Sequence, residues 1–400
     1  MTATACQARF VGAHGMRLPR TDYWLLFSAA ALAVLGLVMV ASASVTFADR
    51  QLGQPFYYAI RQAVYISGGV FAGIVLFRLP LSLLEQMARV LLLFSFVLLL
   101  LVLVPGIGVE VNGATRWINV GLFRLQVSEP AKLLFIIYLA SYLARHSELL
   151  RVHISGFLKP LGLLAIVAVL LLLEPDFGAT VVLTATVMGM IFMAGVKLTQ
   201  FATMVGAGGL LLGGLAVSSP YRLERLTTFM NPWADPFDSG FQLTQSLMAI
   251  GRGEWLGVGL GSSVQKLFYL PEAHTDFVFA VLAEELGLLG VCTVIALYVL
   301  FVWRAFIVAA QAAKANHLFA ASLSYGIGIW FGLQSFVNIG VNMGLLPTKG
   351  LTLPLMSYGG SSMVVMCAAA ALVLRVDYET RSASLSARRR TPARRKKARA

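Results

Sequence analysis

A carboxylate at the head of a long apolar run is the first feature that could do chemistry. The stretch Leu270-Pro271-Glu272-Ala273-His274-Thr275-Asp276-Phe277-Val278-Phe279 leads from a proline-ended loop into an apolar helix that also carries Glu284 and Glu285. Asp276 falls on the first turn of that helix. A carboxylate or threonine there commonly bonds free N–H groups, so capping is the plain account of it. Two features favour chemistry instead. A long segment precedes the turn and could close over it. Glu284 lies two turns deeper, where an ionisable group is costly and usually has a purpose. A carboxylate between water and apolar walls can have its pKa raised, which suits a general base.

Positive groups that could meet an anionic ligand are spread over several segments. Arg116 lies in Asn112-Gly113-Ala114-Thr115-Arg116-Trp117-Ile118-Asn119. Further on, Ser128 reads as an N-cap with Pro130 in the first turn, and Glu129 and Lys132 at i, i+3 share a helix face. That pair is either a local ion pair or a way to hold Lys132 toward a phosphate. Lys349 opens Lys349-Gly350-Leu351-Thr352-Leu353-Pro354, ahead of the small-residue segment Ser357-Tyr358-Gly359-Gly360-Ser361-Ser362. The long segment 219–275 offers Arg222 and Arg252, with Gln242 and Gln245 spaced to hydrogen-bond sugar hydroxyls. Its glycine stretch Gly257-Val258-Gly259-Leu260-Gly261 lacks the Gly-Lys-Ser/Thr ending of a nucleotide loop. Glu174-Pro175-Asp176-Phe177-Gly178 is a tight reversal in which Asp176 caps the next helix.

The elements that must position these residues are set by composition. The chain has 400 residues, of which 58% are hydrophobic and only 12% charged. A soluble domain carries roughly twice that charge, so lipid is the solvent for much of this chain. Runs of membrane-spanning length cover about ten segments: 22–45, 61–78, 88–106, 130–145, 160–174, 177–195, 199–218, 276–303, 317–342 and 353–375. An even number puts both termini on one side. That side holds 21 of the 31 Lys and Arg residues, so the positive-inside rule assigns it to the cytoplasm. The expected class is all-α: a polytopic membrane protein with residues 1–21 as a cytoplasmic segment, 22–376 as the membrane domain and 219–275 as a large periplasmic loop. Residues 377–400, with a net charge far too basic to bury a core, are expected to form a disordered polybasic tail near anionic lipid. Cys6, Cys292 and Cys367 are too few and too scattered for a disulfide framework or metal cluster; apolar packing is expected for the last two.

Taken in order, several of these strings resemble one family. They are Asn-Gly-Ala-Thr-Arg-Trp, the Glu-Pro-Asp-Phe-Gly turn, His274-Thr275-Asp276-Phe277 with the following Ala-Glu-Glu-Leu-Gly, and Pro354-Leu355-Met356-Ser357-Tyr358-Gly359-Gly360-Ser361-Ser362. They are similar to the shape, elongation, division and sporulation family of peptidoglycan glycosyltransferases over about 22–376. Asn231-Pro232-Trp233 and Gly259-Leu260-Gly261-Ser262-Ser263 resemble the division member more than the elongation member. The resemblance implies a GT-C-like helical bundle in the bacterial inner membrane at the division septum. It implies an enzyme that polymerises lipid II on the periplasmic side, with a divalent cation (Mn or Mg) and a class B penicillin-binding transpeptidase as partner. Asp276 is then the essential residue, a general base and also a possible metal ligand, with Glu129 and Lys132 near it. Undecaprenyl pyrophosphate is the leaving group, and Arg116, Lys132, Lys349, Arg222 and Arg252 are candidates to neutralise it. A lipid II flippase and a non-catalytic division scaffold are the alternatives. Against the flippase, the unusual residues crowd the outer half of the membrane.

Overall fold

A computed structural model describes residues 21–397, except 112, 122, 148–154, 219–227, 238–239, 268–269 and 348–349. The helices are α1 (Tyr23–Leu52), α2 (Tyr57–Arg78), α3 (Leu81–Val102), α4 (Ser128–Arg145), α5 (Ser155–Leu173), α6 (Phe177–Met193), α7 (Leu198–Val217), α8 (Phe241–Gly253), α9 (Val278–Lys314), α10 (Leu318–Asn342) and α11 (Gly360–Lys397). All but α8 correspond to the spans read from the sequence, and the protein is a polytopic helical membrane bundle. Among the described residues, six helices are long and apolar enough to cross a membrane by length and composition alone: α1, α2, α3, α5, α9 and α11. Helices α4 and α10 are less apolar for a physical reason. Of the 18 residues of α4, 14 are buried, and α10 buries Gln334, Asn338 and Asn342. Helices that face protein can carry polar groups that lipid would penalise.

Close seams and charged braces hold the bundle. On α2, Gly69 and Gly73 let α11 approach: a Cβ on Gly69 would stand 2.9 Å from the Cys367 Cβ, and one on Gly73 would stand 3.1 Å from that of Ala371. Small residues four apart are a common device for membrane helix contact. Cys367 packs in this seam as expected, whereas Cys292 is exposed on the outside of α9. At the end bearing the termini, Asp22 caps α1 by accepting from Trp24 N and Leu25 N. It also pairs with Arg304 of α9 and lies 3.7 Å from Arg381 of α11. Arg381 in turn donates to the buried Asp377 at 2.6 Å. Helix α11 therefore runs past residue 377, where the sequence reading began a disordered tail. The reason is this local network, which gives the first turns beyond the membrane partners of their own.

Three features at the other end, called the outer face here, depart from a plain bundle. First, 108–126 is an antiparallel sheet of β1 (Gly108–Val111), β2 (Ala114–Val120) and β3 (Phe123–Gln126), in that order. Its tight turns use Gly113 and Gly121 at φ 75 and 71°, which glycine adopts without steric cost. Second, α9 is interrupted at Gly287 (φ 63°, ψ −162°). The freed backbone groups bond the loop after α8: Val258 N to Glu284 O at 3.0 Å, Gly259 N to Glu285 O at 3.1 Å and Leu288 N to Glu254 O at 2.9 Å. Third, the last span begins at Gly360 rather than 353. Residues 351–359 enter the bundle without helix, and Leu353, Leu355, Met356 and Ser357 are buried. Irregular backbone at such depth needs internal partners. Gln334 Nε2 bonds Thr352 O, Tyr298 Oη bonds Pro354 O, Gln62 Nε2 bonds Ser357 O, and Leu353 N bonds Ser357 Oγ.

Candidate active site

The helix start, the sheet and the buried irregular segment converge on one cavity of about 240 Å³ at the outer face. Asp276, Thr275 and Glu272 line it from the turn before α9. Arg116 and Gln126 line it from the sheet, Glu129 from α4, Asp176 from the turn before α6, and Gly350, Thr352 and Tyr358 from the irregular segment. Gly350 gives the Asp276 carboxylate its room, since a Cβ there would stand 2.9 Å from Oδ2. Asp276 stands one residue before the N-cap position of α9. The N-cap position of α9 falls on Phe277, which has no capping side chain, and the amide of Ala280 is met by Asn342 Oδ1 of α10 at 3.2 Å. Thr275 turns back to the carbonyl and carboxylate of Glu272.

The Glu129–Lys132 pair lies directly behind the cavity. Lys132 Nζ donates to Glu129 Oε1 at 2.9 Å and to Gln334 Oε1 at 3.0 Å, and sits 5.1 Å from the Trp330 ring centroid. Its side chain is completely buried. Lys132 therefore acts on the cavity through Glu129, whose other oxygen is buried without a hydrogen bond. Ser128 is the first residue inside α4, not its cap, and accepts from Gln126 Nε2. Asp176 does cap α6, accepting from Ala179 N at 3.0 Å, while its second oxygen is buried without a partner. Arg116 is held across the Glu174-Pro175-Asp176 turn, donating to the carbonyls of Glu174 at 3.1 Å and Pro175 at 2.5 Å.

Glu174 itself is buried, and neither carboxyl oxygen has a hydrogen-bond partner. Burial, reinforced by Asp176 and opposed by Arg116, pushes its pKa up from an ordinary 4.5 to about 8. The folded protein thus keeps a proton there that the unfolded chain loses at lower pH. Stability from this group is complete below pH 4.5 and falls away as pH rises through about 8. Glu174→Gln should flatten that part of the pH dependence, read as melting temperature in detergent against pH. An unchanged slope between those two values counts against the assignment. His274 shifts the other way: burial lowers its pKa, with Glu272 opposing. Its ring lies 4.7 Å from that of Tyr58 and 5.6 Å from that of Tyr358, centroid to centroid, and its carbonyl accepts from Tyr358 N. The ring packs in this aromatic cluster beside the turn that carries Asp276.

Other residues singled out from the sequence lie elsewhere. Arg252 on α8 stands 3.6 Å from Glu284. Glu284 is consumed by the outer loop, accepting from Ser263 Oγ, Val264 N and Gln265 N, so its purpose is to hold that loop. Neighbouring Glu285 pairs with Lys266 at 2.8 Å and accepts from Ser42. Gln242 and Gln245 are half-buried on α8 and do not line the cavity. Arg222 and Lys349 lie outside the described residues. The sequence reading missed Gln334, Asn338 and Asn342. Their signal was present: three amide side chains four residues apart in an otherwise apolar span.

Among the described residues no group of three or more His, Cys, Asp or Glu side chains could hold a metal ion. A dedicated protein cage is therefore absent there. Mg²⁺-type ions are usually held by one or two carboxylates plus substrate phosphates. Asp276 and the unpartnered oxygen of Asp176 on this cavity fit that second arrangement.

The FtsW/RodA/SpoVE family, described as cell cycle proteins, matches residues 23–382. The chain belongs to the FtsW/RodA/SpoVE family. Among curated relatives, the probable peptidoglycan glycosyltransferase FtsW of Thioalkalivibrio sulfidiphilus is 60% identical over 361 residues, covering 90% of both chains. That of Nitrosococcus halophilus is 57% identical, covering 92% of this chain and 95% of its own. Among solved structures, the rod shape determining protein RodA of Thermus thermophilus superposes with a TM-score of 0.66 at 30% identity, covering 89% of this chain and 96% of that one. A chain from a peptidoglycan synthase complex, studied for the coordination of polymerization and crosslinking, gives 0.73 at 32% identity, covering 90% and 98%. The family match spans every element that lines the cavity.

Proposed function

We propose that this FtsW/RodA/SpoVE family protein is the peptidoglycan glycosyltransferase of the division septum, polymerising lipid II into β-1,4 glycan with Asp276 as general base. The observation that carries the reading is that Asp276 lines an outer-face cavity shared with Glu129, Arg116 and Asp176. The acceptor is lipid II, whose GlcNAc 4-hydroxyl is a poor nucleophile until its proton leaves. Asp276 takes that proton as the hydroxyl attacks C1 of the donor MurNAc. The C1–O bond to undecaprenyl pyrophosphate breaks with inversion, so one carboxylate suffices and no covalent enzyme intermediate is required.

Arg116 at the rim, and Lys349 and Arg222 by sequence position, are the groups to meet the departing negative charge. Asp276 and Asp176 would hold a divalent cation, which would supply further charge neutralisation when bound. The cavity is smaller than the roughly 300–1,000 Å³ typical of a ligand pocket. It suits the reacting ends of two lipid-linked chains whose tails stay in the membrane, a division of labour that supplies proximity. By the charge count the cavity faces the periplasm and both termini face the cytoplasm of the inner membrane. A class B penicillin-binding transpeptidase is the partner that would crosslink the product.

Purified protein incubated with lipid II and Mn²⁺ in detergent is expected to yield glycan polymer, more with the transpeptidase partner present. No polymer under either condition overturns the reading. A flippase or a scaffold would give that result.

A further inference from the structure

We propose that Asn338 and Asn342 of α10 are positioning residues for the Asp276 carboxylate, an inference that rests on the reading of Asp276 as the base. Asn338 Nδ2 donates to two main-chain carbonyls at once, Asp276 O at 2.9 Å and Leu351 O at 2.5 Å. Carbonyls only accept, so the –NH₂ group must face them. One turn on, Asn342 Nδ2 donates to the same Asp276 carbonyl at 3.1 Å, while its Oδ1 receives Ala280 N. Asn342 Nδ2 also donates to the main-chain carbonyl of Asn338 at 2.9 Å and lies 3.4 Å from its side-chain Oδ1. One turn earlier, Gln334 accepts from Lys132 Nζ and from Trp330 Nε1, and donates to Thr352 O.

One stripe of α10 thus ties together three separate wall segments of the cavity. These are the turn bearing Asp276, the irregular segment just after Gly350, and the Glu129–Lys132 pair. The tie to Asp276 is made through its main-chain carbonyl. Gly350 sits against Asp276 Oδ2, and Asn338 grips the chain on both sides of that contact. The stripe fixes where the carboxylate stands relative to the irregular segment. A role limited to satisfying buried carbonyls would affect folding alone. A positioning role affects turnover in a folded protein, because a displacement of about 1 Å at a reacting group can cost about 10²-fold.

The test compares Asn338→Leu, which removes both donors, with Asn338→Ser and the double variant Asn338→Ser/Asn342→Ser. Each is purified in detergent and assayed for lipid II polymerisation and melting temperature. Asn338→Leu is expected to lower kcat about 100-fold with KM within about threefold of wild type. Asn338→Ser, which keeps one hydroxyl donor, should recover at least about tenfold of that loss. The double variant should still fold, with a lowered melting temperature, yet turn over at least about tenfold more slowly at a temperature well below its melting point. A loss confined to KM, or one that follows the melting temperature through the series, overturns the proposal. If Asn338→Leu does not fold, the double variant decides: kcat within about threefold of wild type overturns the proposal. Asp276→Asn is assayed in parallel. Should it polymerise normally, the base assignment fails; should it be inactive while the Asn variants are unaffected, only the positioning role fails.

Discussion

Asp276→Asn is expected to give a folded, membrane-inserted protein whose polymerisation falls by about 10²–10⁴-fold, the usual worth of a general base. The substitution is close to isosteric. The contacts that Asn338 and Asn342 make with this residue go to its main-chain carbonyl, so they survive it. Gly350 continues to leave space for the side chain. The capacity to take a proton, and the negative charge of the carboxylate, are removed. The measurement is a lipid II polymerisation time course beside a melting curve. An inactive variant with the wild-type melting temperature supports the role. A fully active one refutes it, whatever the other variants do.

Lys132→Met should have the largest effect on stability. Lys132 is completely buried and bonded to Glu129 and Gln334. Removing it leaves the Glu129 carboxylate in a low-dielectric core without its cation, which typically costs about 3–5 kcal/mol. The double variant Lys132→Met/Glu129→Gln removes the orphaned charge as well and should recover much of that loss. Chemical or thermal unfolding in detergent reads both. Equal destabilisation of the single and double variants would show that the pair is not charge-coupled in the way its geometry implies. Activity need not recover with stability, because Glu129 also lines the cavity.

Much of this arrangement was legible in the residues. Ten apolar runs, the i, i+3 pairing of Glu129 with Lys132 and the capping role of Asp176 follow from hydropathy and helix periodicity. The sheet at 108–126 was equally present in principle. Asn112-Gly113, with Val109 and Val111 before it and Thr115 after it, is a strong hairpin signal, but it stands in a chain dominated by apolar helical runs. What could not be read was long-range. Nothing local says that Ala280 is capped by a residue 62 positions away, that Lys132 finds its second partner on α10, or that 351–359 enters the bundle as irregular chain. Those depend on which helix lies beside which. The amides of α10 are the exception in part: their spacing marks a polar face, although not its partners.

The interruption of α9 at Gly287 has a thermodynamic consequence. The loop after α8 occupies hydrogen-bonding sites that a continuous helix would have filled internally. If the loop lifted away, a stretch of the span would be left with bare amides and carbonyls beside hydrocarbon, each at a cost of several kcal/mol. The extramembrane segment and the upper part of this span therefore melt and reform together, as one cooperative unit.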